Sequence, residues 1–155
     1  WVSDALFLRR NNIFSKFVIN EAKVYSTDTM HRVSIRKESD IITGKKVNLK
    51  SLTASYYNSL SFAFAEICGR SHGGGVLELM PNEVEDILIP YNEENAKILD
   101  KIDKMMREGR SIEKILEVTD KIILKQGYGF SESEIKLANS IWKKLMIRRT
   151  NRGKI

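Results

Sequence analysis

FAEICGRSHGGGVLELMPNEVEDILIPY, residues 64–91, is the stretch that decides the fold. It begins inside an apolar helical run that Gly69 closes. Arg70, Ser71, His72, Gly73, Gly74 and Gly75 follow as an open loop. Glycine carries no Cβ, so this loop's backbone can approach a ligand closely. Val76, Leu77 and Leu79 then make a short strand. Pro81 opens a helix at the first helical position, where a missing N–H is tolerated. Ile89-Pro90 is expected to end it. Helix, loop, strand and helix in quick succession indicate an α+β fold.

Working upstream, residues 51–68 carry helical spacing. Leu52, Tyr56, Leu60, Ala63, Phe64 and Ile67 share one face and predict a single central helix. Residues 7–49 read as strands. Phe17-Val18-Ile19 is an apolar run, and Val24 to Ile35 alternates β-branched or aromatic residues with polar ones. Asn11-Asn12 and Thr43-Gly44 are turn signals. No proline precedes Pro81, so nothing here blocks ladder pairing.

Downstream the chain is helical. Asn92 caps a helix whose first turn holds Glu93 and Glu94 and whose buried face holds Ile98, Leu99, Ile102, Met105 and Met106. Ile112, Ile115, Leu116, Thr119, Ile122 and Ile123 form the next apolar stripe. Ser131 and Glu134 make a capping box ahead of Ile135, Ala138, Ile141, Trp142 and Leu145. The expected organisation is a small β-sheet region packed with a central helix over 1–91, then a helical extension with a basic tail over 92–155.

At 155 residues the chain supports one core. A 42% hydrophobic and 30% charged composition excludes a disordered chain. The single cysteine, Cys68, excludes an internal disulfide. Within an apolar helix it reads as a buried thiol, which suits a reducing, cytoplasmic setting. No apolar run has the length of a membrane span and no leader is visible, so no membrane partner is expected. Trp1 in first position suggests a piece of a longer protein.

The net charge of +6 is unevenly spread. Residues 1–50 carry net +5, residues 51–100 net −6 and residues 101–155 net +7. The last 13 residues hold six cations and no acid. Such asymmetry suits a polyanion partner, and equally a solvated surface with a loose tail.

No self-contained catalytic site can be assembled. No GxxxxGK[ST] loop, GxGxxG fingerprint or GxSxG elbow is present. One cysteine and two histidines do not make a zinc site. Glu78, Glu83, Glu85 and Asp86 cluster, and read as a solvated helix face more readily than as a metal-dependent hydrolase or nuclease centre built on Glu78 and Asp86.

Two segments have the chemistry of a nucleic-acid contact. Along a strand, Thr27, Thr29 and His31 face one way and Asp28, Met30 and Arg32 the other. Hydroxyls and imidazole bond phosphates or base edges, and arginine grips guanine or phosphate with two hydrogen bonds. Threonine pairing and an Asp28–Arg32 ion pair would explain the same pattern. Arg70 to Gly75 can form an anion-binding concavity from its amides, with Arg70 adding charge. A plain helix-to-strand connector explains it as well. Arg9, Arg10, Lys16, Lys45, Lys46, Arg148 and Arg149 are weaker candidates for phosphate contacts.

KFVIN, STDTMHRV, GRSHGGGVLELMPNEVEDILIP and the closing DKIILKQGYGFSESEIKLANSIWKKLMIRRTNR together resemble, in order, the C-terminal target-recognition region of adenine-N6 DNA methyltransferases of bacterial restriction-modification systems. The order helix, Gly-rich loop, strand, short helix, Ile-Pro is also similar to the recognition domains of type I restriction specificity subunits. The resemblance implies a parent enzyme whose Rossmann-like N-terminal domain binds S-adenosylmethionine and methylates a flipped adenine. The Asn/Asp-Pro-Pro-Tyr motif of that domain is absent here, so no cofactor and no catalysis are expected of this chain alone. The implied partners are double-stranded DNA, the catalytic domain and a restriction or specificity subunit. A subunit-docking module made of the C-terminal helices is the alternative. An endonuclease–methyltransferase fusion would change only the parent.

Overall fold

The computed structural model describes residues 1–36 and 46–152. The expected Thr43-Gly44 turn and Lys45, and the tail beyond Arg152, lie outside the described residues. The fold is α+β, with small antiparallel sheets in the N-terminal part and helices in the C-terminal part. In one sheet β1 (Ala5–Leu8) lies between β3 (Phe17–Ile19) and β4 (Met30–Val33). In the other, β6 (Val76–Glu78) lies between β2 (Arg10–Asn11) and β5 (Arg70–His72).

Arg9 joins the two sheets. Its amide donates to the Thr29 carbonyl at 3.2 Å, and its own carbonyl accepts from the Leu79 amide at 2.9 Å. One extended run from Ala5 to Asn11 therefore pairs first with β4 and then with β6. The strand expected over 24–35 is shorter, because only Met30–Val33 finds a partner. The Asn20 side chain bonds both the amide and the carbonyl of Val24, at 3.0 and 2.9 Å, and holds residues 20–24 in a loop. Val24 and Tyr25 then face solvent.

The single helix expected over 51–68 is two helices, α1 (Leu49–Tyr56) and α2 (Ser59–Cys68). Apolar spacing runs across the break, but Tyr57 and Asn58 have other bonds to make. The Tyr57 hydroxyl donates to the Phe17 carbonyl at 2.7 Å and accepts from the Phe17 amide at 3.1 Å, tying the break to β3. Buried Asn58 accepts from the Ser61 amide at 2.9 Å as the cap of α2, and donates to the Ser55 carbonyl at 2.6 Å. An asparagine that answers both helix ends competes effectively with a continuous helix. Ile67, assigned to the buried face, is exposed.

Pro81 opens α3 (Pro81–Glu85) as expected, but the helix ends at Glu85, before Pro90. Asn92 caps a 3₁₀ stretch, Glu93–Ile98, that leads into α4 (Leu99–Arg107). Helix α5 (Ile112–Asp120) passes into one π-helical stretch, Lys121–Gln126, rather than continuing regularly. The Ser131–Glu134 capping box opens α6 (Glu132–Thr150), which carries Arg148 and Arg149 inside its last turn rather than in a loose tail.

The hydrophobic core draws on every part of the chain. Phe7 and Phe17 come from the first sheet, Tyr56 and Phe62 from α1 and α2, Leu77 from β6, Ile115 and Leu116 from α5, and Trp142 from α6. The Phe62 and Trp142 rings meet edge to face at 5.5 Å, and Phe7 meets Tyr56 at 5.2 Å. Such pairs contribute roughly 0.5–1.5 kcal/mol beyond area burial.

The N-terminus of α2 is buried, and Asp120 answers it. Its carboxylate accepts from the Ser59 amide at 2.7 Å and from the Ser59 hydroxyl at 2.6 Å. Burial holds the Asp120 carboxyl above its usual 3.8, against the opposing pull of the two Ser59 bonds. A raised folded value means that its contribution is fully present below 3.8 and is lost as pH rises through the folded value. The stability advantage of wild type over Asp120→Asn should therefore shrink as pH rises above 3.8 and through the raised folded value. Urea midpoints of both proteins across that range check this, and a constant gap would refute it.

Candidate nucleic-acid interface

Strand β6 brings the basic residues together around two acids. Arg10 lies opposite Glu78 on the β2 side and Arg70 lies opposite it on the β5 side. The buried Glu78 carboxylate accepts from Arg10 Nε at 2.9 Å and lies 3.1 Å from Arg9 Nη2. His72 Nδ1 is 3.6 Å from its other oxygen. The Arg10 hydrogen bond, with the charges of Arg10, Arg9 and His72, holds Glu78 below the usual carboxylate value despite burial. Glu83, also buried, accepts from Arg70 Nε at 2.8 Å and from the Met80 amide at 2.7 Å. Burial pushes Glu83 up, but the Met80 amide and Arg70 together outweigh it and the net displacement is downward. Glu78 and Glu83 are therefore anchors for cations, not the solvated face the sequence suggested. Two carboxylates hold Arg9, Arg10 and Arg70, so the cluster keeps a positive excess.

The 27–33 segment borders this cluster through Arg9 and Leu79. His31 Nε2 is 2.6 Å from the Leu79 carbonyl. A carbonyl only accepts, so Nε2 carries the proton, and the imidazole ties β4 to the end of β6. Thr27 and Thr29 are not on a strand. They sit in an exposed turn closed by the Met30 amide on the Thr27 carbonyl, their hydroxyls 2.8 Å apart. Exposed Arg32 stacks 5.1 Å over the Trp1 ring, instead of pairing with Asp28. Beside these residues a cleft of about 790 Å³ opens between the first sheet and α3. Phe7, Tyr56, Val84 and Ile87 give it an apolar floor; Arg9, His31 and Arg32 stand at its sides. This arrangement offers charge-assisted hydrogen bonds beside an apolar surface.

The glycine loop is only partly open. A Cβ on Gly73 or Gly74 would meet nothing within 4 Å, and Gly74 sits at φ +73°, where glycine is favoured. Gly75 is different. It is buried, and a Cβ there would lie 2.8 Å from Thr150 Cα of α6. Arg149 holds that contact. Its guanidinium donates to the Gly75 carbonyl and pairs with Glu66 of α2, Nη2 to Oε1 at 2.6 Å. Expected as a phosphate contact, Arg149 is buried and fully committed to this internal clamp.

A family model described as Type II methyltransferase M.Eco57I, C-terminal domain, matches residues 1–124, more than half of the chain. The chain belongs to this family. Neither curated proteins nor solved structures gave a match. The matched segment contains both sheets, the glycine loop and the Glu78 and Glu83 anchors of this methyltransferase C-terminal domain. Helix α6 follows it.

Of the sequence-predicted residues, the fold brings Arg9, Arg10, Arg70 and His72 together, with His31, Thr29 and Arg32 adjoining. Ser71 points away from Arg70 and His72, because side chains alternate along a strand. Lys16 and Arg148 are exposed. Glu66, Glu78, Glu83 and Trp1 went unnoticed as partners, since nothing local marks an acid that will pair with an arginine dozens of residues away. For the hydrolase reading, Glu78 is already held by arginines, and among the described residues no group of three or more His, Cys, Asp or Glu side chains could hold a metal ion. Cys68 is half-buried, and burial raises its thiol above the usual value, which disfavours the reactive thiolate. Among the described residues no helix is long and apolar enough to cross a membrane.

Depressed carboxylates contribute stability above their usual value, and that contribution is lost as pH falls through the folded value. As pH falls below 4.5 and through the depressed folded values, the Nε–H resonances of Arg10 and Arg70 should move to the positions of free arginine. NMR shifts unchanged across that range would show that these carboxylates do not hold the loop.

Proposed function

We propose that this chain is the DNA-binding target-recognition part of an adenine-N6 methyltransferase in a cytoplasmic restriction-modification system. It reads sequence and clamps the duplex for a catalytic domain that binds S-adenosylmethionine. The observation that carries this reading is the cationic edge built on Glu78 and Glu83, set beside two open glycines in a methyltransferase C-terminal domain.

Arginines fixed on buried acids present their remaining N–H donors in a defined direction. That suits base edges, which need two aligned hydrogen bonds, better than a mobile lysine would. Arg70 and His72 lie on β5, an edge strand that leads into Gly73 and Gly74. A narrow, Cβ-free tip of this kind can enter a groove. Arg32, Thr27 and Thr29 lie on the 27–33 segment, which Arg9 and Leu79 join to this cluster, and supply phosphate or base contacts. Lys16, Arg148 and other exposed cations add affinity that falls with salt. Extruding the target adenine requires a few kcal/mol, so a clamp that holds distorted DNA complements the catalytic step.

A second reading, docking on a restriction or specificity subunit, draws on Leu137 and Ile147, both exposed on α6. It predicts no salt-dependent affinity for duplex DNA.

Arg70 is largely exposed, so Arg70→Ala should leave the circular dichroism spectrum and unfolding midpoint close to wild type. In the complete enzyme it should weaken binding or broaden the set of methylated sites, with discrimination falling by roughly 1–3 kcal/mol if Arg70 contacts a base directly. Unchanged affinity and unchanged site choice would remove Arg70 from the interface.

A further inference from the structure

The two faces of β5 have different neighbours. Arg70 and His72 face the Glu78 and Glu83 anchors. Ser71, on the opposite face, lines a groove of about 170 Å³ with Arg148 and Arg149 from the last turn of α6, Arg152 just beyond it, and Glu66 and Gly69 from α2 and its C-terminus. We propose that this groove is a phosphate seat in which Arg148, Arg152 and the Ser71 hydroxyl bind one backbone phosphate of the duplex. The inference rests on the DNA-binding reading above, and it assigns the two faces of β5 different tasks: base reading on one, backbone anchoring on the other.

The charges in the groove favour an anion. Glu66 is its acid, and Arg149 neutralises it in a buried pair whose side chains are 3% and 5% exposed. Arg148 and Arg152 make no ion pair among the described residues, so the groove keeps both charges. The end of α6 is the negative end of a helix and opposes an anion. That opposition is blunted, because the Asn151 amide bonds the Ile147 carbonyl at 3.0 Å and the Arg152 amide bonds the Arg149 carbonyl at 3.2 Å. Two guanidinium charges outweigh the residual dipole. Ser71 is exposed on an edge strand and supplies a neutral donor opposite them.

The same geometry gives Arg149 a positioning role. By holding the Gly75 carbonyl and Glu66 at once, it fixes the distance between β5 and the end of α6, and so the width of the seat. Sequence could not show this, because Ser71 and Arg148 are far apart in the chain and the basic run looks like a tail.

Arg148→Gln/Arg152→Gln changes two exposed side chains and should leave the fold intact by circular dichroism. Duplex affinity of this chain, measured by fluorescence anisotropy from low to moderate salt, should then lose about 0.9 from the slope of log affinity against log salt, the contribution of one phosphate contact. The loss should be equal for duplexes of different sequence. Wild type binding with the same slope as the double variant overturns the seat while leaving the DNA reading standing. If wild type binds no duplex, that reading fails, and inorganic phosphate decides the seat. A phosphate-dependent shift of the Ser71 amide that the double variant lacks keeps the seat as a site for a free phosphate. No shift overturns it.

Discussion

Helix α2 enters the core by its N-terminus, and the polar groups that are buried with it dictate what must surround it. A buried helix N-terminus leaves unpaired amides, each costing roughly 1–3 kcal/mol if unanswered. Asn58 and Asp120 answer them here. Toward the other end, Glu66 would be a buried charge, and Arg149 neutralises it. Both long-range answers come from the helical C-terminal part, Asp120 from α5 and Arg149 from α6. The α/β and helical parts are therefore joined by polar obligation as well as by the Phe62–Trp142 contact. Removing one partner of a buried pair typically costs about 3–5 kcal/mol, because the other charge is stranded. The clamp on Gly75 follows from that same pair, so the shape of the glycine loop depends on a helix that lies far away in sequence.

The acids of this protein divide by what burial gives them. Asp120 meets only neutral donors, so desolvation dominates and its proton is held more tightly. Glu78 meets guanidinium groups, and Glu83 meets the Met80 amide and the Arg70 guanidinium; these outweigh desolvation and keep both ionised. The first kind of acid serves the core. The second serves the surface, because an ionised carboxylate below an arginine restrains the guanidinium without using all of its donors. Arg10 is half exposed and Arg70 more than half exposed despite these bonds. Their energetic value as surface ion pairs is small. Their value as orientation is larger, since less rotamer freedom remains to be lost when a ligand binds.

Much of the fold was legible because its signals are local. The Ser131–Glu134 box, the Asn92 cap, Pro81 and the Val76–Leu79 strand each depend on neighbours a few residues away. The break at Tyr57-Asn58 was hidden, since apolar spacing continues through it and its cause is Phe17 on another strand. The shortness of β4 was hidden because alternation shows which faces a segment offers, not whether a partner strand exists. At the candidate site, residue type identified Arg70, His72 and Arg32 as able to bond an anion. It could not separate Arg148 from Arg149, adjacent and identical in chemistry. One points to solvent and one into the core, and only the position of Glu66 decides which.

That contrast bears on the basic C-terminal run. Six cations without an acid look uniform in sequence, and uniform charge would contribute only diffuse attraction that salt screens beyond about 10 Å at 0.1 M. The fold makes the run unequal. Arg149 is spent internally on Glu66 and Gly75, and this fixes the helix end on which Arg148 and Arg152 stand beside Ser71. A buried arginine thus converts its neighbours from a screened cloud into charges held at a set distance from an edge strand. Charges so held can tell a phosphate in the right place from one that is merely nearby, which is what the proposed clamp on a duplex requires.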